Sequence, residues 1–110
     1  MADERPALAL RLMHADPGRA WRPEELATAA SMARTTFAVR FRAAAGVPPL
    51  TYLENWRMSL AARALRRDSI PVAAPARSVG YTSESAFGNA FKRNVGVAPR
   101  RYREAAGNLP

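Results

Sequence analysis

The sequence contains no cysteine and only one histidine, His14, among its 110 residues. The absence of cysteine excludes disulfides, thiolate zinc sites, iron–sulfur clusters and cysteine nucleophiles. One histidine also argues against a histidine-based metal cage or a histidine-driven catalytic triad, and the sequence has no phosphate-binding loop. We therefore predict no catalytic residues, no metal site, no cofactor and no enzymatic activity.

Long apolar runs and strand patterns are missing as well. No apolar stretch approaches the roughly 20 residues that span a bilayer, and the acidic N-terminus does not match a signal peptide. Alternation of apolar and polar residues, which is typical of strands, is nearly absent. Because 48% of the residues are hydrophobic, a core can still form. The sequence therefore predicts a soluble, intracellular, all-α domain.

Lysine is scarce, whereas arginine is abundant. Arginine supplies 16 of the 17 cations, Lys92 is the other, and nine acids leave a net charge of +8. Arginine is well suited to bind phosphates and base edges. A composition biased towards arginine and alanine would explain the ratio but not the excess of positive charge. Such an excess is typical of nucleic-acid binding, although anionic membranes would attract it too.

Proline and glycine divide the chain at spacings that suit short helices. The seven predicted helices cover about residues 6–15, 23–30, 33–45, 49–67, a short segment from 69–71 onward, 84–95, and a short segment from 99 to 102 or 103, followed by a frayed tail. The residues predicted to face inward are Leu8, Leu12 and Ala15 in the first helix, Leu26, Ala27 and Ala30 in the second, and Leu53, Trp56, Leu60 and Ala64 in the fourth.

An internal repeat is the strongest feature of the sequence. Six residues recur 50 positions later: Phe37, Phe41, Gly46, Val47, Pro49 and Tyr52 correspond to Phe87, Phe91, Gly96, Val97, Pro99 and Tyr102. Ala27, Ala30 and Met32 correspond to Ala76, Val79 and Tyr81 at an offset of 49. The repeat predicts two helix-turn-helix units, at about 22–46 and 71–96, joined by a linker helix at about 49–67.

Helical wheels centred on Phe37 and Phe87 separate the faces of the third and sixth helices. In the third helix, Phe41, Ala33 and Ala44 are predicted to point inward with Phe37. The outward faces carry Thr35, Ala38, Val39 and Arg42 in the third helix, and Ser85, Gly88, Asn89 and Lys92 in the sixth. These faces are small, polar or cationic, as a helix entering a major groove about 12 Å wide requires. Two packed helical hairpins without a role in nucleic-acid binding are the alternative.

The linker helix has a suitable length for binding along a duplex. About 18 residues at a rise of about 1.5 Å span about 27 Å. With the widths of the flanking helices, the two recognition helices could lie about one DNA turn apart, roughly 34 Å. A monomer would then contact two successive major grooves.

The chain resembles the C-terminal DNA-binding domain of AraC/XylS-type transcription regulators from about Leu8 to Arg103. The stretches that carry the resemblance are LRLMHADPGRAW, ELATAASMARTTFAVRFRAAAGVPPLTYLENWRMSLAARAL and RSVGYTSESAFGNAFKRNVGVAPRRYR. The last stretch, with VGY-x-S-x-S-x-F, AFKR and G-x-x-P-x-x-YR, is the most specific. The resemblance implies sequence-specific binding of double-stranded DNA for transcription regulation, and a cytoplasmic, nucleoid-associated location.

The resemblance also implies roles for individual residues. It implies base contacts by Thr35, Ala38, Val39, Ser85, Gly88 and Asn89. Flanking or backbone contacts are assigned to Arg34, Arg42, Ser83, Glu84, Lys92 and Arg93. The family often has serine at Ala33, arginine at Val39 and Asn89, and isoleucine or valine at Pro75. Pro75 predicts that the fifth helix begins late, near 72–75, or bends, and that the second unit is less rigid.

Partners follow from the resemblance too. Double-stranded DNA is the expected partner, RNA polymerase is a further one, and a separate or missing effector or dimerisation domain is implied. The chain would then be a stand-alone activator or other regulator, an excised fragment, or the product of a truncated reading frame. A basic helical module that binds proteins or a membrane surface is the second hypothesis, and it requires one long face combining cations with Trp and Leu.

Overall fold

The computed structural model describes residues 4–67 and 70–107. Seven helices and no strands form within these ranges, which confirms the all-α prediction. Their bounds are Arg5–Ala15 (α1), Pro23–Ala29 (α2), Arg34–Ala45 (α3), Pro49–Arg67 (α4), Ala73–Ser78 (α5), Glu84–Val95 (α6) and Pro99–Gly107 (α7).

Helix α7 is longer than predicted. The prediction that the chain frays from Glu104 was wrong, because 104–107 continue the helix. Glu104, Ala105 and Ala106 are strong helix formers, and the sequence analysis gave them too little weight. The fifth helix was also predicted to start at 69–71, but Ile70 and Pro71 precede it. Ser69 and the last three residues of the predicted tail lie outside the described residues.

The chain divides into two compact units, with the boundary between Glu54 and Asn55 inside α4. We call the N-terminal part unit 1 and the C-terminal part unit 2. Each unit has its own apolar core. The core of unit 1 contains Ala9, Met13, Leu26, Ala27, Ala30, Phe37, Phe41 and Leu53. The core of unit 2 contains Met58, Ala61, Leu65, Val72, Ala76, Val79, Phe87, Ala90 and Phe91.

The repeated aromatic residues have the same geometry in both units. In unit 1, the ring centroids of Phe37 and Phe41 are 5.6 Å apart, and Tyr52 packs edge-on against Phe41 at 5.8 Å. In unit 2, the corresponding Phe pair is also 5.6 Å apart, and Tyr102 packs edge-on against Phe91 at 5.4 Å. The residues that recur in the sequence therefore build equivalent cores.

The structure extends the repeat to the first helix, which the sequence analysis missed. The buried residues of α1 are Pro6, Ala9 and Met13, and those 52 positions later in α4 are Met58, Ala61 and Leu65. The hydrogen bonds agree. His14 Nε2 lies 2.8 Å from the Tyr52 hydroxyl, while Arg66 Nη1 donates to the Tyr102 hydroxyl at 2.9 Å. The C-terminal half of α4 therefore packs in unit 2 as α1 does in unit 1.

Several predicted inward faces were wrong. In α1, Leu8 is 39% exposed and Ala15 is exposed, while Leu12 is half-buried. In α4, Leu53 is buried as predicted, and Leu60 is half-buried and packs against the core of unit 2, whereas Trp56 and Ala64 are only half-buried. Both helices carry apolar residues around most of their circumference, so periodicity does not select one face. In α3, Ala33 and Ala44 are exposed, because the two Phe side chains fill the contact with the core.

The second and fifth helices match their predictions more closely. Leu26, Ala27 and Ala30 are buried as predicted. Helix α5 begins at Ala73, which confirms the late start predicted from Pro75. Pro75 is the third residue of this helix, where a backbone N–H has no intrahelical acceptor, so the proline removes no helical hydrogen bond.

Candidate nucleic-acid interface

Helices α3 and α6 are the two candidate recognition helices, and each ends in the same way. Gly46 and Gly96 have φ values of 86° and 102°, and each donates its N–H to the carbonyl four residues earlier at 2.8 Å. This left-handed conformation is easily reached only by glycine. The starts differ, because the Ser83 hydroxyl accepts a hydrogen bond from the Ala86 N–H, whereas Ala33 has no capping side chain.

The turn before each candidate helix is also repeated. The N–H of Met32 donates to the Ala27 carbonyl at 3.0 Å, and the N–H of Tyr81 donates to the Ala76 carbonyl at 3.0 Å. Both turns contain a residue with positive φ, Ser31 or Gly80, 49 positions apart. These turns place α2 against α3 and α5 against α6 in the helix-turn-helix arrangement.

All six residues predicted to contact bases lie away from the paired Phe side chains. Five are exposed and Gly88 is half-buried. Val39 is 66% exposed, although valine is usually buried. Each helix therefore offers a face of small or uncharged side chains to the surrounding solvent, and the full set is Thr35, Ala38 and Val39 on α3 with Ser85, Gly88 and Asn89 on α6.

The predicted flanking residues have different local roles. Arg42, Lys92 and Arg93 are exposed on their helices, and Ser83 caps α6 as described above. Arg34 forms an ion pair with Glu24 at 2.8 Å, and Glu84 forms one with Arg100 at 3.3 Å. Both pairs are exposed, so each stabilises the fold by at most about 1 kcal/mol and leaves the arginine accessible to a phosphate.

The arginines near the C-terminus separate into two groups, which the sequence did not distinguish. Arg103 Nε lies 3.4 Å from the Leu65 carbonyl in the last turn of α4, so this residue has a structural role. Arg100 and Arg101 are exposed in the first turn of α7. Arg100 contacts Glu84 at the first residue of α6, beside the candidate recognition helix. The sequence contained one signal for these two positions. At the 50-residue offset, Arg100 and Arg101 correspond to the uncharged residues Leu50 and Thr51, so the repeat marks both as cations that are specific to the second unit.

An acidic residue at the start of α2 neutralises nearby arginines. The Glu25 carboxylate accepts a hydrogen bond from the Arg22 N–H at 3.0 Å and pairs with Arg19 at 2.6 Å. The backbone hydrogen bond from Arg22, together with the charge of Arg19, lowers the pKa of Glu25 below its ordinary value. The positive charge of this corner of unit 1 is therefore largely balanced.

The part of the chain that the structure describes forms neither a metal-ion site nor a membrane-spanning helix. The described residues contain no group of three or more His, Cys, Asp or Glu side chains that could hold a metal ion. Within residues 4–67 and 70–107, no helix is both long and apolar enough to cross a membrane.

The sequence of the chain is similar to a helix-turn-helix family and to known transcription regulators. The family described as "Helix-turn-helix domain" matches residues 26–105. A putative AraC-like transcription regulator of Streptomyces antibioticus is 51% identical over 104 residues, which are 94% of this chain and 34% of that protein. The activator RclR of Escherichia coli K12 is 45% identical over 93 residues, 84% of this chain and 33% of that protein. The chain thus spans about a third of the length of these curated relatives.

Solved structures share the fold. The DNA-binding domain of the global transcriptional factor AdpA, solved in complex with a target DNA, has a TM-score of 0.85 and 32% identity, over 92% of this chain and 91% of that one. An AraC-type regulator from Chromobacterium violaceum has a TM-score of 0.86 at 19% identity, over 96% and 95% of the two chains, and shows the fold alone. From its sequence match, its fold and its repeated helix-turn-helix units, the chain belongs to the AraC-type DNA-binding domains.

Proposed function

We propose that this domain binds double-stranded DNA sequence-specifically to regulate transcription, with α3 and α6 each entering a major groove. The observation that carries the proposal is the repeated presentation of a recognition helix. The same Phe pair and Gly end anchor both helices, and the outer face of each carries small, uncharged residues beside exposed cations. The AdpA domain, which was solved with its target DNA, supports the proposal.

Residue roles follow from chemistry and position. Thr35, Ala38 and Val39 on α3, and Ser85, Gly88 and Asn89 on α6, are proposed to contact bases. Arg42, Lys92 and Arg93 are proposed to contact phosphates, and Arg34, Ser83 and Glu84 to flank the contacts at the helix starts. The resemblance to full-length regulators further supports a separate effector or dimerisation domain, RNA polymerase as a second partner, and an activator working at the nucleoid.

The alternative, a basic module for membranes or proteins, is not favoured. It requires aromatic residues and cations together on one long exposed face. Here all four Phe side chains are buried in the two cores. The recurrent aromatic residues therefore serve packing within each unit.

Selection of duplexes from a random pool, followed by measurement of affinity against salt, tests the proposal. Contacts with six to eight phosphates give a slope of log K against log salt of about −5 to −7, at about −0.9 per phosphate. A shared sequence among the selected duplexes and a slope in this range are the expected results. No enriched sequence, or a slope shallower than about −2, would contradict the proposal.

A further inference from the structure

The net charge is distributed unequally between the two units. Unit 1 contains seven arginines and six acids, for a net charge of +1, whereas unit 2 contains ten Arg or Lys and three acids, for a net charge of +7. Affinity for phosphates depends on the number of cations that can displace counterions from DNA. Unit 2 therefore has a larger excess of cations than unit 1 with which to bind DNA phosphates.

Ion pairs in unit 1 place several of its arginines next to acids. Arg19 and Arg34 pair with acids at 2.6 Å and 2.8 Å, and Arg22 Nε lies 3.6 Å from the Glu25 carboxylate. In unit 2, three acids cannot neutralise ten cations, whatever their pairing. The local contacts thus agree with the difference that the sequence establishes.

Around the recognition helices the net charge is the same, +3 for residues 34–51 and +3 for residues 84–101, and the excess of unit 2 lies mainly in the second half of α4, with Arg57, Arg63, Arg66 and Arg67. The cations beside the two recognition helices are nevertheless placed differently. Three exposed cations of unit 2 have uncharged exposed residues at the equivalent positions of unit 1, 50 residues earlier. The pairs are Arg93 and Ala43, Arg100 and Leu50, and Arg101 and Thr51. Because the two backbones are equivalent, these substitutions change the charge of the surface without changing its framework.

The face of α3 is apolar where α6 is polar. Val39 is 66% exposed, and the equivalent residue in α6 is Asn89. A groove of about 250 Å³ beside α3 is lined mostly by apolar residues, together with one cation: Phe37, Ala38, Leu50, Pro23, Pro48, Pro49 and Arg34. The only apolar group that a base edge displays in the major groove is the C5-methyl of thymine.

We infer that the two units divide DNA binding between them. Unit 2, with its net charge of +7, supplies most of the salt-dependent attachment to phosphates of any sequence. Unit 1 adds a selection of its own, beside the adenine contact of Asn89, through contacts of Ala38 and Val39 with thymine methyl groups. This inference rests on the proposed function, and it adds the chemical group that α3 recognises and the unit that carries the electrostatic part.

Replacement of thymine by deoxyuridine tests the methyl contact, because it removes only the C5-methyl. With the full chain and a selected duplex, we expect at least one thymine at which the replacement lowers affinity about fourfold, the factor for burial of one methyl group. Val39→Ala should lower affinity for the thymine duplex by a similar factor and reduce the preference for thymine. Asn89→Ala is the matched control in α6 and should retain the preference.

The salt dependence tests the division of charge. Arg101→Thr gives unit 2 the residue that unit 1 has at the equivalent position, and it should reduce the slope by about 0.9 on both the selected and an unrelated duplex. Val39→Ala should leave the slope unchanged. Thermal unfolding checks that both variants fold, and we expect little change because both positions are exposed.

The outcomes separate the two proposals. If a specific duplex is bound but no deoxyuridine replacement weakens binding, or Arg101→Thr leaves the slope unchanged, the division of roles is wrong while DNA binding stands. If no sequence is enriched and the slope is shallower than about −2, the proposed function itself fails.

Discussion

At the scale of single residues, the two candidate helices differ most at Val39 and Asn89. Both positions were predicted to face outward from Phe37 and Phe87 alone, and the structure confirms their exposure. This was predictable because a Phe pair one helical turn apart defines the buried face. The bases that these residues contact depend on the geometry of the bound duplex, which helical periodicity does not encode.

Asn89→Ala should remove one base preference. The amide of asparagine can donate to and accept from adenine in a bidentate contact, so its loss should cost about 1–3 kcal/mol at one adenine-containing position. Lys92→Ala is the control, because loss of a phosphate contact should weaken binding to all sequences about equally. Affinities for a panel of single-base variants of the selected duplex distinguish the two, and the same uniform loss in both variants would refute the assignment of roles.

The two N-caps should respond in opposite directions to substitution. Ala33 has the extended backbone of an N-cap residue (φ −65°, ψ 149°) but no capping side chain, whereas the Ser83 hydroxyl accepts the Ala86 N–H at 3.1 Å. We expect Ala33→Ser to stabilise the fold by about 1 kcal/mol and Ser83→Ala to destabilise it by about as much. Urea unfolding measures both, and no gain from Ala33→Ser would show that the cap geometry is not available in α3.

At the scale of helices, most helix boundaries were predicted more accurately than the faces that are buried. Pro23, Pro49 and Gly46 place helix boundaries through local backbone constraints, so a single residue is informative. Faces depend on what packs against a helix. In α1, Leu8 and Met13 are both apolar, and only the contacts with α2 and α3 decide that Met13 is buried. The equivalence of α1 with the second half of α4 was missed for the same reason. The two segments bury equivalent positions, but different residues occupy them.

Gly88 is expected to make α6 the less protected of the two recognition helices. It lies within the helix, where glycine costs about 1 kcal/mol relative to alanine, and the equivalent residue of α3 is Ala38. A Cβ at this position would meet nothing within 4 Å. Amide exchange should therefore be faster in α6 than in α3, and Gly88→Ala should slow it.

Gly88→Ala also tests how closely DNA approaches α6. If α6 comes close to the base edges at Gly88, the added methyl group should weaken binding to the selected duplex even though it stabilises the free protein. Equal exchange in the two helices of the unmodified protein would contradict the expected difference.

At the scale of the whole molecule, unit 1 and unit 2 have separate cores that share no residue. The sequence repeat predicted two units, and the offset of 50 identified their equivalent residues. The apolar residues of α4 contribute to both cores, with Leu53 in one and Met58, Ala61 and Leu65 in the other. We therefore expect each unit, and not each single helix, to unfold locally as one cooperative element.

Truncation of one core should affect mainly its own unit. Met13 and Leu65 occupy equivalent positions in the two units and are 0% and 1% exposed. Met13→Ala and Leu65→Ala should each cost about 2–5 kcal/mol. Hydrogen exchange resolved along the chain should show the loss of protection in residues 4–54 for the first variant and in residues 55–107 for the second. The same loss throughout the chain in both variants would mean that the units unfold together.

Helix α4 continues without a break across the boundary between the two units. If unit 2 attaches to the DNA backbone as proposed, this covalent continuity holds unit 1 near the same duplex at an effective concentration on the order of millimolar or above. A contact with a dissociation constant in that range would then be occupied about half of the time, although it would be too weak to detect alone. Selection by unit 1 would therefore operate through the residence time of the whole domain on each site, with no need for tight binding by unit 1 itself.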